Sequence, residues 1–400
     1  MTASRVLVYV QHLLGTGHLK RAALLAGALT RAGQDVTLVS GGFPVRGLPI
    51  HAARFVQLPP VGAADMGFRS LVDEHGQPVD DGLRQRRRDA LLAVWQDVDP
   101  QLLLIELFPF GRRQMRFELL PLLDAARSSA HPPVIVSSVR DVLGGQPDHE
   151  RHQRMLDLFN RYFDHVLVHG DPALLRFGRT FRYTDQLGAR LHYTGYVVDR
   201  PLAIAPGALD DTAGRDEVIV SAGGGAVGAP LLEAAIRARS LSALAGLRWR
   251  VLVGSGIGEG QFGQLAALAR ELNGDAVVVE RNRPDFPALL RRCRLSISQA
   301  GYNTVLETLQ AGARCVLLPF AGGSETEQTL RARILAERGW IDMLQEDGLT
   351  AQALARAVDR AAARPVRERH ALQLDGADVS AQLMLQWLEQ RAARLKAAPL

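Results

Sequence analysis

Lysine is nearly missing from this chain: Lys20 and Lys396 are the only two in 400 residues. Cysteine is equally scarce, and Cys293 and Cys315 flank apolar segments with no metal-ligand spacing. That excludes a disulfide framework and a thiolate metal site, and predicts buried free thiols in a reducing, cytoplasmic setting. No window holds 18 consecutive apolar residues, so a membrane-spanning helix is not expected. The start, MTASRVLVYVQHLL, lacks a basic flank, a long apolar run and a small-residue cleavage site, and it reads as a first strand rather than an export signal. Neither repeats nor low-complexity tracts stand out. The net charge of +5 rests almost wholly on arginine. Its one basic run, Arg84–Arg88 (RQRRR), has no interleaved aromatics, which argues against nucleic acid. It reads as a solvated helix face, with contact to anionic lipid headgroups as the functional alternative.

Four hundred residues exceed one ordinary core, so two domains are expected. Residues 5–10 (RVLVYV) form an apolar strand, followed by a glycine loop with Gly15 and Gly17. A helix follows, with apolar positions at Leu19, Ala22, Ala23, Ala26 and Leu29, and then a strand, VTLVS. Such a β-loop-α-β opening marks a doubly wound α/β domain. A dinucleotide fingerprint fails here: Leu19 and Lys20 stand where a third glycine belongs, and the second strand ends in Ser40-Gly41 rather than an acid. Residues 55–90 look irregular, a loop with a short helix, and a lid or partner-binding insertion is one reading. Strands are predicted at 102–108 (with Glu106), at 134–139 (before Arg140 and Asp141) and at 166–169 (before Gly170 and Asp171). In a parallel sheet their ends point to one ligand-binding edge.

Turn formers between 193 and 217 place a linker there, and VIVSAGGGAVG (218–228) restarts the pattern. Strands 250–254 and 276–280 follow, the first running into a second glycine loop. Residues 295–332 hold a strand (Leu295–Ser298), a turn at Gly301, a helix (Thr304 to Ala311) stopped by Gly312, and a strand (Cys315–Leu318). A strand feeding a helix through glycine presents bare N–H groups and a positive dipole end, which is an anion site. Glu307, one turn in, is placed to contact what is held there. The pattern suits a phosphate-bearing ligand with hydroxyls. From Leu349 the chain reads as helical, ending in a long helix around 380–396. The expected division is 1–197, a linker at 198–216, a second domain at 217–375, and a C-terminal helix at 376–400 packed back on the first domain.

The segments GTGHLKRAALLAGALTRAGQDV and ISQAGYNTVLETLQAGARCVLLPF…ETEQTLRA make the chain resemble the GT-B glycosyltransferases. More narrowly it is similar to family 28, which includes the N-acetylglucosamine transferase of peptidoglycan lipid II synthesis. The resemblance implies two Rossmann-like domains facing a cleft, a UDP-sugar held mainly by the second domain, a hydroxyl acceptor held by the first, and no cofactor or metal. Phosphate contacts then fall to Gly15, Gly17, Ser221, Gly223, Gly224, Gly225, Ser255, Gly256, Gly301, Asn303 and Thr304. Ribose and base contacts fall to Glu307, Arg283 and Phe286. Sugar contacts fall to Tyr302, Glu325, Glu327 and Gln328. Glu327 stands where the family often has His or Gln, and Arg331 where it usually has Asn; an acid there favours bare hydroxyls over an N-acetyl group. His18 matches the histidine ending the first glycine loop, as a base or phosphate contact. Glu106, near the C-terminal end of its own strand, is the other catalytic candidate. Arg140 and Asp141 are acceptor-side candidates.

The expected activity is inverting transfer of a sugar from a UDP-sugar to a hydroxyl acceptor that is soluble or lipid-linked, with peripheral membrane contact as a further option. A UDP-sugar hydrolase, a 2-epimerase and a non-catalytic nucleotide-sugar-binding subunit are the alternatives.

Overall fold

The structure, a computed structural model, describes residues 3–13, 15–45, 47–64, 70–144, 148–198, 212–223, 228–320, 327–365 and 372–397. It divides into two compact units, Met1–Asp199 with Leu372–Leu400, and Arg200–Ala371. Most of the expected linker, 199–211, lies outside the described residues. Its end belongs with the second unit, where Ala213 is buried against Leu289.

The first unit runs β1 (Arg5–Val10), α1 (Gly17–Arg31), β2 (Asp35–Ser40), β3 (Arg54–Gln57), a two-residue hairpin β4 (Gly62–Ala63) and β5 (Leu71–Val72), and α2 (Asp81–Val98). It continues with β6 (Leu102–Glu106), α3 (Arg116–Arg127), β7 (Val134–Arg140), α4 (His149–Tyr162), β8 (His165–His169), α5 (Thr184–Leu187) and β9 (Leu191–Tyr193). Its seven-stranded sheet has the order β3-β2-β1-β6-β7-β8-β9. Every pairing in it is parallel. Parallel strands covered on both faces need apolar side chains on both, which is why they read as apolar runs. Alternate residues serve opposite faces. Leu7, Tyr9, Leu103 and Ile105 pack under α2, α3 and α4. Val6, Val8, Leu102 and Leu104 pack under α1 and the final helix, α12 (Gly376–Ala397), through Met384, Trp387 and Leu388.

Two elements differ from expectation. The strand expected over 102–108 stops at Glu106, because Leu107 takes φ 67° and the Phe108–Pro109 peptide is cis. The 55–90 segment is not mostly loop: it holds β3, the small hairpin and the start of the 18-residue α2. Asp80 caps that helix, its carboxylate accepting from the Leu83 N–H at 2.6 Å. The basic run, read as a solvated helix face, does lie on this helix, which is longer than the short one expected.

The second unit comprises β10 (Val218–Ser221), α6 (Ala229–Ala238), β11 (Trp249–Val253), α7 (Glu259–Asn273), β12 (Val277–Arg281) and α8 (Phe286–Arg292). After these come β13 (Leu295–Gln299), α9 (Tyr302–Ala311), β14 (Cys315–Leu318), α10 (Glu327–Glu337), β15 (Asp342–Met343) and α11 (Ala351–Ala363). Its sheet order is β12-β11-β10-β13-β14-β15, all parallel. Each sheet reverses its direction of build once, between β1 and β6 and between β10 and β13. Ligands of open α/β sheets bind beyond the strand C-termini at such switch points. Both cysteines are free, Cys315 buried and Cys293 half-buried.

One consequence concerns how α12 is seated. The Trp387 indole stacks on His165 with ring centroids 3.8 Å apart, and His165 Nδ1 lies 3.2 Å from His192 Nε2. Burial, reinforced by the neighbouring His192, pushes the His165 pKa down from 6.5 to about 4, and burial lowers that of His192 too. The unfolded chain therefore takes up protons first as the pH falls, and stability declines between pH 6.5 and about 4. Thermal melts are expected to lose several degrees over that window. In His165→Gln the slope should flatten; an unchanged slope would remove this pair as a source.

Candidate functional site

In the first unit the switch point brings His18 and Glu106 together, although 88 residues separate them. β1 delivers the loop into α1, and the adjacent β6 ends on Glu106. His18 Nδ1 lies 2.8 Å from Glu106 Oε1. The Glu106 side chain is 1% exposed and that of His18 18%. Arg21, one turn further along α1 and 2% exposed, pairs with the same Oε1. Burial alone would raise the Glu106 pKa, but His18 and the Arg21 cation together hold it far below the usual carboxylate range. Burial lowers His18 to about 3; Glu106 opposes this, and the Arg112 and Arg140 cations assist it.

An ionised carboxylate only accepts, so the neutral imidazole carries its hydrogen on Nδ1 and donates it to Glu106. Nε2 is left with its lone pair, the form a general base needs. Around the pair, Arg112 is anchored by its Nε donating to the Gln11 carbonyl at 2.7 Å. The Arg140 guanidinium packs on Gly17, where an added Cβ would come within 3.1 Å of it. Gly15 is exposed at the loop. α1 has no side-chain cap and no acid in its first turn, so its positive end is not neutralised locally.

Asp141 departs from its expected acceptor-side role. It is fully buried and accepts from the Tyr196 hydroxyl at 3.1 Å, tying the end of β7 to the chain after β9. The run Arg84–Arg88 is corrected too, because Arg87 is 0% exposed. Its Nε and Nη2 donate to the Glu118 carboxylate at 2.8 and 2.7 Å, and Nη2 also to Gln11 Oε1 at 2.9 Å. Tyr9 donates to Glu118 as well. Gln11 Nε2 in turn donates to the His12 and Val61 carbonyls at 2.8 and 3.0 Å. This buried network holds the chain leaving β1, and hence the approach to His18. His12 is structural: it is 4% exposed, with Nε2 2.9 Å from the Phe43 carbonyl oxygen.

In the second unit, α9 starts at Tyr302, two residues earlier than expected, with Gly301 as N-cap. Gly301 supplies no side-chain cap and the first turn contains no acid. The N–H groups of Tyr302, Asn303 and Thr304 therefore form an uncapped positive end at the switch point. The helix stops at Gly312, whose φ of 69° suits glycine. Glu307 is half-buried one turn in. On the neighbouring β10, the Ser221 hydroxyl accepts from the Gly223 N–H at 3.3 Å. Gly223 has φ 72°, while Gly224, Gly225 and Glu325 lie outside the described residues. Ser255 and Gly256 sit exposed in the turn after β11. Arg281 holds that turn, donating to the Gly254 and Ile257 carbonyls at 3.1 and 2.8 Å.

Two expected contacts look different in place. Arg283 is committed to Asp285 through two hydrogen bonds of 2.8 Å. Phe286, opening α8, packs on the core with Ile219, Leu252 and Leu289. Neither stands open for a base. Glu327 and Arg331, the two departures from the family pattern, turn out to be one ion pair, with Arg331 Nη1 donating to Glu327 Oε1 at 3.1 Å. The Arg331 guanidinium lies 5.0 Å from the centre of the Tyr302 ring. Glu327 is thus a neutralised carboxylate, not an open acid awaiting hydroxyls. Gln328 Oε1 accepts from the Phe320 N–H at 3.1 Å. Sequence reading passed over Arg21 and Arg112 and noted Arg331 without its partner; spacings of i,i+3 and i,i+4 could have flagged Arg21 with His18 and Arg331 with Glu327. Among the described residues no group of three or more His, Cys, Asp or Glu is placed to hold a metal ion, and no helix is long and apolar enough to cross a membrane.

Residues 219–380 match the glycosyltransferase family 28 C-terminal domain. A UDP-N-acetylglucosamine–N-acetylmuramyl-(pentapeptide) pyrophosphoryl-undecaprenol N-acetylglucosamine transferase of Phenylobacterium zucineum is 32% identical over 102 residues, covering 25% of this chain and 28% of that protein. The match thus spans little more than a quarter of that relative's length. The protein of the same name from Caulobacter vibrioides is 25% identical over 370 residues, 88% of each chain. Among solved structures, MurG of Acinetobacter baumannii superposes with a TM-score of 0.63 at 15% identity, over 96% of this chain and 99% of that one. A Polygonum tinctorium UDP-glucosyltransferase reaches 0.64 at 14% identity, over 98% and 100%. The second unit is thus similar to the C-terminal domain of glycosyltransferase family 28, and the chain has the GT-B glycosyltransferase fold.

Proposed function

We propose that this chain is an inverting, metal-independent glycosyltransferase that moves a sugar from a UDP-sugar to a hydroxyl acceptor. The observation that carries the reading is the neutral His18, its Nδ1–H spent on the buried Glu106 carboxylate and its Nε2 lone pair available. In the reaction Nε2 takes the proton from the acceptor hydroxyl as that oxygen bonds to the anomeric carbon. The bond from that carbon to the diphosphate oxygen breaks on the opposite face, so configuration inverts and UDP leaves with the electron pair. Glu106 stabilises the imidazolium that forms. The leaving diphosphate needs positive charge, which the uncapped N-terminus of α9 and the glycine turns after β10 and β11 supply. Glu307 takes the ribose hydroxyls, and Tyr302, Glu327 and Gln328 lie on the sugar side. The family 28 match over the second unit supports the donor assignment. The relatives' names specify a lipid-linked acceptor, and we assign this chain's acceptor to the same broad class, a hydroxyl compound on an anionic carrier.

A donor screen tests the reading: thermal shift and nucleotide release across UDP-, GDP- and dTDP-sugars, with and without an undecaprenyl-diphosphate-linked sugar. UDP-sugars alone should stabilise the chain, and release should depend on acceptor. Full-rate release into water would make the protein a hydrolase, and stabilisation by a GDP-sugar alone would overturn the uracil assignment.

A further inference from the structure

Arg21 is expensive where it sits. The side chain is 2% exposed, and neither Nε nor Nη1 has a hydrogen-bond partner among the described residues. A buried guanidinium with two unanswered donors lowers stability, so fold maintenance does not explain it. Its one close partner is Glu106 Oε1, the oxygen that also receives His18, and its Nη2 lies 3.4 Å from His18 Nδ1. Beneath this cluster His169 is fully buried, with Nε2 2.8 Å from the Ser138 hydroxyl and Nδ1 2.9 Å from that of Thr194. Arg21 is close enough to His169 to disfavour its protonation.

We propose that Arg21 is a positioning residue that holds Glu106 as an acceptor-only carboxylate and thereby locks His18 in the Nδ1–H form with Nε2 unprotonated. The proposal rests on the reading of His18 as the base, but its mechanism is electrostatic and can be seen without turnover. Glu106 alone would draw a second proton onto His18, giving an imidazolium that cannot accept. Arg21 is placed to offset that pull through the oxygen it shares with His18, while burial first, and then Arg112 beyond β6 and Arg140 at the end of β7, lower the His18 pKa. Groups facing His18 are thus Glu106, Arg21, Arg112 and Arg140, with His12 facing Glu106 from the loop after β1 and His169 facing Arg21 from the end of β8.

The test is the Arg21→Met variant of the full chain, with Arg21→Lys beside it. Long-range ¹H–¹⁵N spectra of histidine-labelled protein, assigned with His18→Gln, report the His18 tautomer and titration without any substrate. In Arg21→Met the His18 pKa should rise by about one unit or more, a tenfold change in proton affinity. The acid limb of its kcat/KM profile should move up by the same amount. Arg21→Lys keeps the cation and should stay near the wild type in both. A His18 titration in Arg21→Met that superimposes on the wild type overturns the proposal, and so does an equal rise in Arg21→Lys. Should Arg21→Met not fold, Arg21→Gln takes its place as the charge-removing variant: a raised His18 titration upholds the proposal, and one that superimposes on the wild type sinks it. Failure of the glycosyltransferase reading would show differently, as no transfer with any donor while the His18 tautomer still answers to Arg21.

Discussion

His18→Gln lowers kcat/KM by about 10²–10⁴-fold, the usual worth of a positioned general base, and leaves affinity for the donor nucleotide unchanged. The expectation follows from where the residue stands. His18 belongs to the first unit, whereas the proposed donor contacts, Gly15 and Gly17 apart, belong to the second. Removing a proton acceptor should therefore slow the chemical step without loosening the nucleotide. Glu106→Gln should fall nearly as far for a different reason. A side-chain amide can offer an N–H towards Nδ1, which favours the tautomer with hydrogen on Nε2, and that tautomer cannot take a proton. Steady-state kinetics and calorimetric titration with the nucleotide separate the outcomes. If nucleotide affinity falls in parallel with turnover, His18 is a phosphate ligand and the base lies elsewhere. The pH dependence supplies a second check. With a pKa near 3, His18 stays unprotonated throughout the neutral range. The acid limb of kcat/KM should lie well below the 6.5 of an ordinary histidine.

Arg87→Met should cost about 3–5 kcal/mol of stability, the largest loss expected from any single substitution discussed here. The Arg87 and Glu118 side chains are both 0% exposed. Losing the cation strands the Glu118 carboxylate in the core with only the Tyr9 hydroxyl and apolar neighbours. It also releases Gln11, and with it the chain between β1 and α1. Arg87→Met/Glu118→Leu should recover most of the loss, because no unpaired charge remains. Urea denaturation of the two variants gives the answer. A single-variant cost below about 1 kcal/mol would mean that this pair contributes no more than a surface ion pair.

Arg87 also shows where sequence reading stops. In RQRRR all four arginines look alike, and only the helix face turned to Glu118 singles one out. The Glu327–Arg331 pair is a milder case: its i,i+4 spacing is visible in the sequence, yet the two residues read separately suggest an acidic sugar site and a foreign cation. Arg283 and Phe286 were assigned to the base from sequence, but the Asp285 carboxylate pairs with Arg283 and Phe286 packs against Leu289.

The sequence by itself determined the layered α/β architecture and most strand positions, since parallel strands buried on both faces must be continuously apolar. The ends of α9 were legible to within two residues, because Gly301 before the helix and Gly312 after it are local backbone signals. Only the tertiary structure decided which polar groups share a site. His18 meets Glu106 because β6 lies beside β1 in the sheet, an order that no local pattern encodes. Burial there keeps the imidazole neutral, while His18 and the Arg21 cation keep the Glu106 carboxylate ionised against its own burial.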